Sequence, residues 1–110
     1  MQFVGIDDRA WHAGVSEFMG RARCNDFSIG VELEGCDDQP FEAAQMAMLA
    51  RLSASLQRRV PSLRFVAGHS DIAPGRKTDP GPWFDWADLT TRLAGLSCSL
   101  ERPITDKLRR

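Results

Sequence analysis

The chain has 110 residues, 43% hydrophobic and 26% charged, with 14 Lys and Arg against 15 Asp and Glu for a net charge of −1. This is one small soluble domain, able to bury roughly two thirds of its unfolded surface. The charge balance excludes a polybasic nucleic-acid or membrane-surface binder, and no apolar run reaches the roughly 20 residues that span a bilayer.

Gln2 to Ile6 alternates polar and apolar residues, the pattern of a short strand. Asp7 to Asp26 reads as a long, polar, glycine-containing loop that carries Trp11, His12 and Arg23. Loops longer than about 12–15 residues in compact domains are usually functional or disordered. Phe27 to Leu33 is the clearest strand, with Phe27, Ile29, Val31 and Leu33 on one face and Ser28, Gly30, Glu32 and Glu34 on the other. Gly35 ends it.

A helix follows, with Asp38 or Gln39 near its N-cap, Pro40 near its first position and Glu42 in its first turn. It runs to about Arg58, and Phe41, Ala44, Met48, Leu52 and Leu56 make an apolar stripe opposite Arg51, Gln57 and Arg58. Leu63 to Ala67 is a second internal strand, short and apolar. Gly68 to Trp83 is a loop with three prolines and three glycines, and Asp85 to Leu96 is a second helix. No repeat or flexible linker divides the chain, so residues 1–96 read as one domain and 97–110 as a partly disordered tail. Met1-Gln2-Phe3-Val4 lacks the basic and then apolar start of a signal peptide, so the expected compartment is the cytoplasm. Cys24, Cys36 and Cys98 are odd in number and form no C-x-x-C, which points to reduced thiols.

The stretch from Gly68 to Pro82 is the most unusual. It sets His69 at the end of a strand, Asp79 ten residues later and Lys77 just before that carboxylate. Histidine and aspartate are both suitable zinc ligands, and a proline-rich loop can fold back to bring them to one ion. Each also has a plain reading: a hydrogen-bonded structural histidine, a turn-initiating Asp before Pro80, and a solvated lysine. Glu32 is the second unusual residue, a carboxylate in mid-strand opposite the apolar face. It is either a solvent-facing charge or a general base lining a cleft. The residues by themselves leave both open.

Arg9-Ala10-Trp11-His12-Ala13-Gly14 and Gly20-Arg21-Ala22-Arg23-Cys24-Asn25-Asp26-Phe27-Ser28-Ile29-Gly30-Val31-Glu32-Leu33-Glu34-Gly35 carry a resemblance. So does Gly68-His69 through Arg76-Lys77-Thr78-Asp79-Pro80-Gly81-Pro82, followed by Phe84-Asp85-Trp86-Ala87. Together they resemble the zinc N-acetylmuramoyl-L-alanine amidases, most of all the cytoplasmic branch that recycles 1,6-anhydromuropeptides. The likeness runs in order from Met1 to about Leu93, with three separated motifs in register.

The resemblance implies an α/β fold with a mixed central β-sheet flanked by helices, like the amidases and peptidoglycan-recognition proteins. It implies Zn²⁺ held by two His and one Asp, with His69 at the second His and Asp79 at the Asp. Glu32 falls at the acid/base position and Lys77 where a cation stabilises the oxyanion of the tetrahedral intermediate. Arg23 falls where a carboxylate of the stem peptide is gripped, Trp11 where the sugar ring is contacted, and Ala73 where backbone meets the peptide. The expected partners are anhydromuropeptides, with no nucleic acid and no membrane.

The family's first zinc His lies upstream of the piece that begins at Met1, and His12 matches a position that is not a ligand. The domain is therefore expected to be N-terminally truncated. Its uncovered sheet favours self-association. Three readings follow: a zinc amidase, a muropeptide-binding module that does not hydrolyse, and an inactive fragment.

Overall fold

The structure, a computed structural model, describes residues 17–18, 21–22, 28–33 and 41–103. The expected strand at Gln2–Ile6, the residues around Asp38 and Pro40, and the last part of the tail lie outside the described residues. So do Trp11, His12 and Arg23. The described residues fall into two compact units. One contains those of 1–32 together with Gly68–Asp79, and the other contains Leu33–Ala67 and Pro80–Pro103.

In the first unit, β1 (Glu17–Phe18) and β2 (Arg21–Ala22) pair antiparallel, with Glu17 opposite Ala22 and Phe18 opposite Arg21. This ribbon lies inside the stretch read from the sequence as loop. The short helix here called α2 (His69–Ile72) packs beside β1. Residues 28–33, the described part of the expected strand Phe27–Leu33, belong to no ladder among the described residues, and Ile29 and Val31 are 36% and 43% exposed. Alternation specifies which face a strand would bury, but a strand exists only where a neighbour takes its backbone donors and acceptors.

The second unit is built on α1 (Ala43–Arg59) and α3 (Trp86–Gly95), which pack together. Helix α1 starts later than expected. Its N-cap is Glu42, because the Gln45 side-chain oxygen reaches back to accept the Glu42 N–H at 3.0 Å and so satisfies the donor at the entry. The buried face also differs from the expected stripe. Met46, Leu49, Ala50, Ser53 and Ala54 are buried, whereas Ala44 is exposed and Met48 and Leu52 are 61% and 41% exposed. Small side chains at Ala50, Ser53 and Ala54 let a neighbouring element approach closely, and that neighbour supplies Leu89 and Leu93, at 1% and 2% exposure. Phe84 and Leu100 complete the core, with Leu33, Phe41, Leu63, Val66, Trp86 and Cys98 packed around it. Phe84 meets Phe41 and Trp86 edge to face, at 5.6 and 4.7 Å between ring centres.

Helix α3 matches its expected span within a residue at each end. Asp85 caps it by accepting the Asp88 N–H at 2.9 Å. At its other end Cys98 N–H donates to the Leu93 carbonyl and Ser97 N–H to that of Ala94, both at 3.0 Å, with Ser97 at φ +56°. This is a Schellman stop whose left-handed position is occupied by serine instead of the usual glycine. Ser97→Gly should therefore raise stability by about 0.5–1 kcal/mol, since it removes a left-handed Cβ clash. Urea unfolding of the two proteins reads the difference.

Past that stop the chain stays packed. Ser97 to Pro103 was expected to begin the disordered tail, yet Leu100 and Pro103 are buried. The Gln57 side-chain amide holds the segment with both ends. Its oxygen accepts from Ser99 N–H at 3.0 Å and Cys98 Sγ–H at 3.2 Å, and its nitrogen donates to Ser99 Oγ at 2.9 Å and the Leu63 carbonyl at 3.1 Å. Leu63 to Ala67, expected as a strand, makes one parallel bridge to this segment, Phe65 opposite Glu101. Val66 N–H donates to Glu101 at 3.0 Å and Glu101 N–H to Arg64 at 3.1 Å. The Arg102 guanidinium lies over the Trp86 ring at 4.1 Å.

Among the described residues the structure is thus mostly helical, and no helix is long and apolar enough to cross a membrane.

Candidate metal-binding loop

The loop from Gly68 to Asp79 is held together by its own backbone. Ala73-Pro74-Gly75-Arg76 turns with the Arg76 N–H donating to the Ala73 carbonyl at 3.1 Å, and Gly75 at φ +80°. Proline second and a left-handed glycine third are the residues that a type II turn requires. The Ala73 carbonyl also accepts the Lys77 N–H at 3.0 Å, and Ala73 itself is buried. Ser70 N–H then donates to the Asp79 carbonyl at 2.9 Å, closing the loop across the residues between them.

That closure brings His69 and Asp79 together. His69 Nδ1 lies 3.2 Å from Asp79 Oδ2, with the two side chains 20% and 61% exposed. An ion pair this open to solvent adds little stability. The separation instead suits a shared ion: tetrahedral zinc with bonds of about 2.0–2.1 Å sets neighbouring ligand atoms about 3.3–3.4 Å apart. The donor chemistry, an imidazole nitrogen and a carboxylate oxygen, fits zinc as well. Among the described residues no group of three His, Cys, Asp or Glu side chains is placed to hold a metal. The loop therefore brings together two side chains of ligand type, His69 and Asp79.

The remaining candidates stand as follows. The Lys77 side chain is exposed, on the loop that carries both ligand candidates. Glu32 is exposed on the 28–33 segment and forms no ion pair with a described residue. Trp11 and Arg23 lie outside the described residues. The sequence reading passed over Asp71, whose carboxylate accepts the Gly68 N–H at 2.9 Å. Its signal was available: an acidic residue three positions after the helix-entry residue, in Gly68-His69-Ser70-Asp71.

With this geometry in hand, the family is plain. The N-acetylmuramoyl-L-alanine amidase family profile matches residues 1–82, and the chain belongs to that family. Among individual relatives it is 52% identical, over 96% of its own length and 55% of the other's, to the 1,6-anhydro-N-acetylmuramyl-L-alanine amidase AmpD of Enterobacter cloacae. Its fold is similar to the crystal structure of a selenomethionine derivative of AmpD, with a TM-score of 0.77 at 52% identity, covering 84% of this chain and 52% of that one. It is also similar to the Escherichia coli amidase AmiD in complex with the substrate anhydro-N-acetylmuramic acid-L-Ala-D-γ-Glu-L-Lys, with a TM-score of 0.73 at 39% identity, covering 84% and 40%. The chain spans about half the length of the curated relatives it matches.

Proposed function

We propose that this chain is part of a zinc amidase that cleaves the amide between 1,6-anhydro-N-acetylmuramic acid and L-alanine in muropeptide recycling in the cytoplasm. The observation that carries the reading is the approach of His69 Nδ1 to Asp79 Oδ2 within a loop that also carries Lys77. His69 and Asp79 would hold the ion. Bound zinc supplies Lewis acidity and lowers the pKa of a coordinated water to about 7. In this reading Glu32 takes a proton from the attacking water as the lactyl amide is opened, and later returns it to the leaving amine. The Lys77 ammonium stands where negative charge develops on the amide oxygen, and fixed positive charge there favours the transition state. Arg23 matches a stem-peptide carboxylate by its planar fork, Trp11 offers a flat face to the sugar, and the Ala73 backbone meets the peptide.

The complete domain in this reading has a mixed central β-sheet flanked by helices, to which the described ribbon and helices contribute. Its partners are anhydromuropeptide fragments of the cell wall, with neither nucleic acid nor membrane.

The test uses the full 110-residue chain with zinc and anhydro-N-acetylmuramic acid-L-Ala-D-γ-Glu-L-Lys, measuring bound zinc and released peptide. The expected result is zinc-dependent release that falls about 10²–10⁴-fold in Glu32→Ala with binding retained. Binding of the muropeptide with no release and no zinc would assign a binding module instead. Absence of both would remove the hydrolytic assignment for this chain and leave its family unchanged.

A further inference from the structure

The first backbone N–H groups of a helical turn have no partner within it, so something outside must accept them. In α2 two such donors flank His69. On its N-terminal side the Gly68 N–H donates to Asp71 Oδ2 at 2.9 Å, and on its C-terminal side the Ser70 N–H donates to the Asp79 carbonyl at 2.9 Å. The Asp71 N–H returns to the Gly68 carbonyl at 3.0 Å, so Gly68 and Asp71 are tied twice, once through backbone and once through side chain. Gly68 is buried, so leaving its amide without the carboxylate carries a desolvation cost.

The consequence falls on His69. Its backbone is held at both flanking residues, and in that backbone direction its ring meets Asp79 at 3.2 Å. The Ser70 tie depends on Asp79 itself, a residue on the far side of the loop. The Gly68 tie is local and depends on the Asp71 side chain.

We propose that Asp71 is a positioning residue for the His69–Asp79 pair, its carboxylate fixing the Gly68–His69 backbone so that the imidazole faces the Asp79 carboxylate before any metal arrives. The inference rests on the zinc reading for its functional consequence, while its geometric half stands without metal. Asp71 is not one of the two proposed ligands. It acts through His69, as the outer partners of metal ligands do when they fix a ring's direction.

The test has two arms on the full chain. In the metal-free arm, amide exchange at Gly68 and the ¹⁵N signals of the His69 ring are compared between wild type, Asp71→Ala and Asp71→Asn. Asp71→Ala is expected to lose Gly68 protection and the ring signature of an Nδ1 bonded to a carboxylate. Asp71→Asn keeps an acceptor oxygen at the same reach and is expected to restore both. In the metal arm, zinc competition against a chromophoric chelator should show affinity about 10–100-fold weaker in Asp71→Ala and within a few-fold of wild type in Asp71→Asn.

Unchanged His69 ring signals in a folded Asp71→Ala protein would overturn the proposal. So would an Asp71→Asn protein as impaired as the alanine variant, which would make charge and not position the operative property. If Asp71→Ala does not fold, Asp71→Glu decides, because it moves the acceptor by one methylene. It should disturb the His69 signals, and unchanged signals there also overturn the proposal. A wild-type chain that takes up no zinc would refute the zinc reading alone, since the metal-free arm still decides the role of Asp71.

Discussion

Leu89→Ala should destabilise the protein by about 2–5 kcal/mol, the cost of removing a fully buried leucine and leaving a space its neighbours fill only in part. Leu89 is 1% exposed and is one of only two buried residues on α3, the other being Leu93. Leu89 and Leu93 are thus the most buried side chains that α3 brings to the core it shares with α1, and losing one removes a large part of that contact. Small domains have about 5–15 kcal/mol of stability in total, so this one substitution reaches a large share of it. Urea unfolding gives the test, as a lowered midpoint with little change in slope. Met48→Ala is the matched control. Met48 belongs to the stripe expected from periodicity but is 61% exposed, so its loss should fall within about 0.5 kcal/mol of wild type. Equal costs at the two positions would refute the buried face described for α1.

The second large effect is on the metal. Under the proposed zinc reading, His69→Ala removes one of the two donors the loop supplies and should reduce zinc uptake to background. That loss exceeds the roughly 10–100-fold expected from losing an outer partner, so His69→Ala should rank below Asp71→Ala in affinity. Asp79→Ala should behave like His69→Ala, with the added loss of the carboxylate opposite the ring. Zinc titration of the purified variants, with unfolding midpoints measured alongside, separates lost ligation from lost folding. A His69→Ala protein that is folded and binds zinc like wild type would move the site elsewhere in the chain.

Such variants probe two kinds of information. Local chemistry was legible directly. Gly68 to Trp83 read as a loop rich in proline and glycine, and within it the chain turns at Pro74 and Gly75, with Gly75 at φ +80°. Asp85 read as the start of a helix and caps α3. The Gly68-to-Pro82 motif named His69, Lys77 and Asp79, and the chain's family followed from the same residues. These are interactions among neighbours within a few positions, and side-chain identity alone decides them.

The misreadings share a different origin. The segment 28–33 alternates like a strand but belongs to no ladder among the described residues, and a ladder needs a second chain segment that alternation does not specify. The chain after Leu96 looked like the start of a loose tail, yet Gln57 binds Cys98 and Ser99 from more than forty residues away.

By itself, then, the sequence determined the turn chemistry, the α3 cap, the ligand-type residues and the family. Only the tertiary structure decided which face of α1 is buried and whether His69 reaches Asp79. Helix α1 carries two apolar stripes, Ala44-Met48-Leu52 and Met46-Leu49-Ala50-Ala54, and helical periodicity permits either. The second is buried because its small residues admit Leu89 and Leu93, a match of shapes between segments far apart in the chain. His69 and Asp79 meet for a related reason: the Ser70-to-Asp79 backbone bond closes ten residues of loop, and side-chain type alone does not specify that closure.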